Sequence, residues 1–370
     1  MIECDRWDMI SVLTSNTQGG IIQFTQSFST ALRNLGESVE EWYPEGCEGA
    51  PISARHYSHV KQSEVLLGIP ARVKQLADEI CPSTCEMLIC TDDVLGSSVI
   101  GELATEKTRT FLVIHDAEPH PTNSMTARQK VRKTLNDIRK KRAYRGVEGL
   151  ILLSNNSRNQ FKKLYPKLAN KTYLLPLCPH PVNVEPSKPV ELDGIDCSKG
   201  FYLFFGRIDK YKGIGHLLKA YRSLSEKPLP LVIAGSGQLT EDEMRTASEI
   251  PELVLINRFI EDAELPWLFG NSSVVVLPYI EASQSGVLAM AYHYGKPVIV
   301  SNLPGLTEFV DDGKTGVIVN DENELAAALK EMVHSENFSQ HVEDYRNRYL
   351  DWETNVELFL NQVRNEADAQ

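Results

Sequence analysis

Long apolar runs are missing from these 370 residues. Nothing in the chain approaches the roughly 18 consecutive apolar positions of a membrane-spanning helix. The N-terminal Met1-Ile-Glu-Cys-Asp-Arg-Trp-Asp8 has no basic segment leading into an apolar one. No secretory signal is therefore read, and the chain is expected in the cytoplasm. The seven cysteines (Cys4, Cys47, Cys81, Cys85, Cys90, Cys178, Cys197) are odd in number and scattered, with no C-x-x-C pair. That argues against both a disulfide framework and a zinc site. Positive charge is scarce in one half only. Residues 1–185 hold 22 Lys and Arg against 21 Asp and Glu, while residues 186–370 hold 16 against 29. The formal charge of -12 thus resides in the second half. Such a half does not suit nucleic acid, whose binding rests on neutralising phosphates, and any anionic ligand there must be met by local donors.

Two phosphate-loop signatures also fall short. Gly313-Lys314-Thr315 ends like a Walker A loop, but Glu308 stands where that motif needs its first glycine. Gly235-Ser-Gly237 lies between a strand and a helix, yet Thr240 occupies the third glycine position of a dinucleotide fingerprint, so NAD binding is a weak reading.

What is present is a repeated β-α alternation. Short apolar runs recur at Ile10–Leu13, Met87–Cys90, Thr110–Ile114, Gly149–Leu153 and Tyr173–Pro176, with helix-compatible segments between them. Pro179–Pro189 is proline-rich and reads as a linker. The pattern then restarts at Phe201–Phe205, Leu231–Ala234, Leu253–Ile256, Val274–Leu277 and Pro297–Val300. Continuous apolar strands are those buried on both faces, so each half predicts a doubly wound parallel sheet. The expected domains are 1–185 and 186–345. The last helix, with Trp352, Val356, Phe359, Leu360 and Val363 on one stripe, needs a partner surface.

Ligands of such sheets bind beyond the carboxyl ends of the strands. Gly19-Gly20 follows the first strand and either lets backbone approach a ligand or makes a plain tight turn. His115-Asp116 follows Ile114 and is either functional or structural. In the second half, Gly206-Arg207-Ile-Asp-Lys-Tyr-Lys212-Gly213 follows Phe205. Its Arg supplies a planar fork of donors and its Lys a mobile point charge, a pair suited to a diphosphate. Glu281-Ala-Ser-Gln-Ser-Gly-Val287 follows another strand and opens a helix-compatible run. Ser285, Gly286 and Val287 can present backbone amides to a phosphate, with Glu281 reaching a neutral polar group.

One strongly basic run remains. Ala127–Arg145 carries Arg128, Lys130, Arg132, Lys133, Arg139, Lys140, Lys141, Arg142 and Arg145 against Asp137 alone, with Val131, Leu135 and Ile138 at helical spacing. It reads as a membrane-surface contact or as a solvated domain face.

Taken in order, Gly206-Arg207 with Lys212-Gly213, Phe259-Ile-Glu-Asp-Ala-Glu-Leu265, Val276-Leu-Pro-Tyr279, Ser285-Gly286, Gly295-Lys-Pro-Val-Ile299 and Gly305-Leu-Thr-Glu308 resemble glycosyltransferase family 4. These are retaining enzymes of the GT-B fold: two Rossmann-like domains face across a cleft, and a C-terminal helix crosses back to the first. The resemblance is strong over about residues 200–320 and weaker earlier, at Gly19-Gly20 and His115-Asp116-Ala-Glu-Pro-His120. It implies transfer of a sugar from a nucleotide-diphosphate donor to a glycan or lipid-linked glycan, as in surface polysaccharide assembly, with no metal required. The metal-chelating Asp-x-Asp of the other major glycosyltransferase fold occurs nowhere.

In that family's pattern Arg207 and Lys212 would hold the diphosphate, Ser285, Gly286 and Val287 the distal phosphate, and Glu281 the donor sugar's hydroxyls. His115 would approach the sugar from an acceptor-binding first domain, which residues 346–370 rejoin. Asn257–Ile260, including Arg258 and Phe259, would edge the nucleobase. One departure stands out. The second glutamate of the family's E-x7-E pair falls at Ala289 or Met290, depending on whether one counts from Glu281 or from Gly295. A GT-B epimerase or a non-catalytic sugar-nucleotide-binding subunit are the alternatives.

Overall fold

The structure is a computed structural model that describes residues 7–17, 19–58, 60, 71–93, 108–117, 127–180, 182, 184–226, 229–332 and 337–367, with backbone only at 127–130, 132, 337, 339, 366 and 367. Glu118-Pro119-His120, part of the family-like His-Asp segment, lies outside the described residues, as do Pro181 and Asn183 of the proline-rich stretch. The chain divides into two units, Met1–Pro176 with Trp352–Gln370, and Leu177–Asp351. The proline-rich stretch therefore belongs to the second unit.

In the first unit the described strands are β1 (Ile10–Leu13), β2 (Val39–Pro44), β3 (Arg55–Tyr57), β4 (Met87–Cys90), β5 (Arg109–Ile114), β6 (Gly149–Leu152) and β7 (Thr172–Leu174). They form one parallel sheet in the order β3-β2-β1-β4-β5-β6-β7. The second unit repeats the plan with β8 (Tyr202–Phe205), β9 (Leu231–Ala234), β10 (Leu253–Ile256), β11 (Val274–Leu277), β12 (Val298–Ser301) and β13 (Gly316–Val319), ordered β10-β9-β8-β11-β12-β13. Strands β1, β4, β6, β9 and β11 are buried at every position, as continuous apolar runs covered on both faces must be.

Each order runs outward from its first strand and then reverses to the other side. A gap between neighbouring crossovers opens at that reversal, between β1 and β4 in one unit and between β8 and β11 in the other. Because Val274 pairs with Tyr202 and Val275 with Leu203, the ends of β8 and β11 come out level, and the loops that leave them start side by side.

Three strands, β2, β3 and β13, lie outside the apolar runs read from the sequence. In β2, Glu41 is buried but ion-paired to Arg33, and the Tyr43 hydroxyl donates to it at 2.8 Å. β3 is a mostly exposed three-residue edge. β13 follows Gly313-Lys314-Thr315, which is a turn: the Thr315 hydroxyl accepts the Asp311 amide at 2.9 Å and the Tyr292 hydroxyl at 2.8 Å.

The terminal helix Trp352–Ala367 completes the first unit. Val356, Phe359, Leu360 and Val363 are buried on it. Trp352 stands edge-on to Phe24 and Phe28 of the helix Gly20–Asn34, and Phe359 meets Phe111 of β5 and Tyr173 of β7. Arg364 closes its far end with a 2.7 Å ion pair to the nearly buried Glu37.

Candidate functional site

The reversal point of the second unit gathers residues far apart in sequence. β8 leads into Gly206-Arg207-Ile208, whose backbone continues the β8–β9 ladder beyond the strands: the Gly206 amide donates to Ala234 and the Ile208 amide to Ser236, both at 2.9 Å. Gly235-Ser236-Gly237 therefore braces the arginine loop from the side, which accounts for its glycines without a dinucleotide. Arg207 itself is exposed at the strand's carboxyl end.

After a single 3-10 turn, Lys210–Lys212, the chain enters the helix Ile214–Ser223 through Gly213. Gly213 is left-handed (φ 67°), and a Cβ there would sit 1.8 Å from the Pro278 carbonyl oxygen. No other residue satisfies both demands. The contact ties this loop to the one leaving β11, and the Ile280 amide adds a 2.8 Å bond to the Tyr211 carbonyl. Lys212 Nζ consequently lies 3.7 Å from the ring centroid of Tyr279, a cation–π contact on a buried ring. Burial pushes the Tyr279 phenol well above its ordinary range, so it stays a neutral platform.

The Tyr279 hydroxyl reaches the Ser285 hydroxyl at 3.4 Å. Ser285 is the N-cap of the helix Gly286–His293, yet its side chain makes no capping bond to that helix. The first-turn amides of Gly286 and Val287 thus point out of the helix start without the usual side-chain acceptor. Val287 borders Gly206, where an added Cβ would lie 3.7 Å from Val287 Cγ2. A guanidinium loop, a fixed ammonium and a positive helix end so share one spot in an otherwise acidic unit, an arrangement suited to a dianionic phosphate group.

Glu281 is exposed in the same loop. Gly305 of Gly305-Leu-Thr-Glu308 presses on that loop from the other side: a Cβ on it would meet the Ala282 carbonyl oxygen at 2.4 Å and the Ser283 carbonyl carbon at 2.5 Å. Beyond it, at the ends of β11, β12 and β13, opens a cavity of about 600 Å³ bordered by Tyr279, Ile280, Asn302, Asn320, Glu322 and His216. Its walls mix Asn, Asp and Glu side chains with aliphatic ones, and the carboxylates make it ill suited to a phosphate.

Arg258 does not stand as the sequence led one to expect. All five of its guanidinium donors are taken: Nε and Nη2 by Glu191 at 2.8 Å, Nη1 and Nη2 by Glu264 at 2.7 Å, and Nη1 again by the Phe259 carbonyl at 3.1 Å. These bonds hold both carboxylates below their usual range and the guanidinium above its own. Nothing is left to donate to a nucleobase. Ile260 is in the core, whereas Phe259 is 71% exposed and is the side chain this loop offers outward. Ala289 is buried and Met290 packs on the core, so neither takes the ribose role of a second glutamate.

The remaining expected residues belong to the first unit, at its own reversal point. Gly19 is the N-cap of Gly20–Asn34, at a positive φ of 87° that suits glycine. The loop before it is pinned by Asp92, at the end of β4, whose Oδ2 accepts the Ser15 amide at 2.7 Å, the Thr14 hydroxyl at 3.0 Å and Asn16 Nδ2 at 3.1 Å. Sequence reading passed over Asp92, although its place directly after a strand beside β1 was the available signal. His115 Nε2 lies 2.8 Å from the Thr91 carbonyl, which can only accept, so Nε2 carries a proton. Phe24 stands edge-on to the same ring.

Residues 200–335 match the family model described as Glycosyl transferases group 1. Among solved structures, the sucrose-phosphate synthase of Thermosynechococcus elongatus superposes with a TM-score of 0.71 at 16% identity, covering 98% of this chain and 100% of that one. Anabaena HepE in complex with UDP gives 0.71 at 14%, covering 96% and 100%. The chain therefore has the two-Rossmann-domain GT-B fold, and with the matched domain this supports a GT-B glycosyltransferase. An uncharacterized 41.2 kDa protein in the cps region of Klebsiella pneumoniae is 32% identical over 121 residues. That match spans only 33% of the relative's length and 33% of this chain.

Proposed function

We propose that the chain is a retaining, metal-independent hexosyltransferase that moves a sugar from a nucleotide-diphosphate donor to a glycan or lipid-linked glycan. The observation that carries this reading is the meeting of the Gly206–Gly213 loop, which bears Arg207 and Lys212, with the start of Gly286–His293 at the β8–β11 reversal. When the bond between sugar and diphosphate breaks, negative charge grows on the phosphate oxygens. Preorganised cations and amides aimed there stabilise that transition state more than the ground state, which is where rate comes from. Glu281, in the same loop, is assigned to the donor sugar's hydroxyls, and Phe259 with the backbone of Ile260 to the nucleobase. In the first unit we assign the acceptor to the β1–β4 reversal, with the Gly19-Gly20 loop and His115 on the sugar. The UDP held by the HepE structure makes uridine the first nucleotide to try, and a relative in a cps region favours a surface-polysaccharide acceptor.

The test is incubation with a panel of nucleotide sugars, with and without chelator, following nucleotide release and the anomeric configuration of the product by NMR. Turnover that resists chelator and retains configuration is expected. A folded protein that releases nucleotide from none of the donors overturns the enzyme reading. One observation favours a second reading: Ala289 is buried and Met290 packs on the core, the two positions at which the family's ribose-binding glutamate would fall, and on this reading the chain binds the donor without turning it over. Calorimetric binding of a nucleotide sugar without release would support that subunit role.

A further inference from the structure

Helix Ala127–Gly146 turns Val131 and Ile138 of its apolar stripe to solvent, with Leu135 half-buried between them. Val131 is 62% and Ile138 58% exposed, and they lie about two turns apart on nearly the same line of the helix. Lys141, Arg142 and Arg145 are exposed around them. The opposite side does the packing. Ala143 and Tyr144 are buried, Tyr144 stacks edge-on with Phe161 and Tyr165, and Lys140 Nζ bonds Asp93 at 2.7 Å beside the Tyr144 hydroxyl. Asp137, the helix's one carboxylate, lies on this packed side; burial chiefly pushes the Tyr144 and Tyr165 phenols up, and the charges of Asp93 and Asp137 add to it. Among the described side chains, the outward face thus carries Lys141, Arg142 and Arg145 with the two exposed aliphatics, and the helix's single acid lies on the packed side.

We propose that this outward face docks on an anionic lipid bilayer. Cations alone would suit any polyanion. Two branched aliphatics in the middle of them do not, because a nucleic-acid backbone offers them nothing, whereas a bilayer offers phosphate at the surface and acyl chain just beneath. Among the described residues no helix is long and apolar enough to cross a membrane, so contact would be peripheral. The inference stands apart from the donor chemistry, which involves other residues.

The full chain is sedimented with vesicles of phosphatidylcholine alone and of phosphatidylcholine mixed with phosphatidylglycerol, at low and high salt. Binding is expected only with phosphatidylglycerol, weakening on the order of tenfold or more in high salt. Val131→Asp with Ile138→Asp, both at exposed positions, is expected to weaken partition about tenfold or more while leaving the circular dichroism melt unchanged. Lys141→Glu with Arg145→Glu should weaken it comparably. Equal binding to neutral vesicles, undiminished binding by the Val131/Ile138 variant, or equally tight binding to duplex DNA would each overturn the proposal. Nucleotide release from the donor panel is read in parallel, so failure of one reading is visible without the other.

Discussion

Arg207 and Arg258 both follow a strand of the same sheet, and both were legible as cations beside a ligand. Their surroundings separate them. Arg207 is exposed in a loop that its backbone and the buried Ile208 hold in place, so Arg207→Ala should cut turnover on the order of 10²–10³-fold with the melting temperature nearly unchanged. An unaltered rate would remove it from the site. Arg258 spends all five donors on Glu191, Glu264 and the Phe259 carbonyl. Arg258→Ala should instead cost about 1–2 kcal/mol of stability in chemical denaturation, allowing for its part-exposed position. Because the two carboxylates are held below their ordinary 4.5, their contribution is present above about that pH and is lost as pH falls through their lowered values. The variant's stability profile should therefore be flatter in that acid range than the parent's. A variant that loses stability equally at acid and neutral pH would contradict this account.

At the scale of elements, the loop Glu281–Ser285 is shaped by what packs on it. A methyl at Gly305 has no room against the Ala282 and Ser283 backbone, so Gly305→Ala must displace the loop. We expect a loss of about 1–3 kcal/mol and, at temperatures where the protein is folded, a raised KM for the donor, since Glu281 and the Gly286 amide move together. A KM equal to the parent's would dissociate this loop from donor binding. Much of this element was readable: the strand before it, the helix after it and the polar residues between follow from their run lengths and spacing. The bracing by Gly305 was not, because it joins positions more than twenty residues apart in the chain through a contact that leaves no periodic mark. The same holds for β2, where buried Glu41 contradicts a local hydrophobic pattern until Arg33 and Tyr43 are placed around it.

At the scale of the whole molecule, the first unit is discontinuous and the second is one continuous stretch. Removing the chain from Trp352 onward would uncover Phe24, Phe28 and Phe111 and strip Glu37 of its partner Arg364. Phe359→Ala, a milder version, should cost about 3–5 kcal/mol, a large part of an ordinary domain's stability. Calorimetry should show the first unit's transition lowered, with residues 177–351 melting as before. A uniform shift of every transition would mean the two units unfold as one.

The sequence by itself determined the alphabet of the fold. Strands covered on both faces need unbroken apolar runs, helices need their spacing, and the carboxyl ends of those strands are where Arg207, Lys212, Glu281, Ser285 and His115 could be read. It also carried the resemblance on which the sugar chemistry rests. Only the tertiary structure decided which of those ends are neighbours. Strand order puts β8 against β11 and so brings Gly206 to Val287 and Lys212 to Tyr279, across some 67 to 81 residues of chain. It also decided that Arg258 is consumed by an ion-pair network and that Val131 and Ile138 face outward. The reason is one of range: periodicity and turn chemistry act over a few residues, while saturation of a guanidinium or exposure of a stripe depends on what other parts of the chain bring to it.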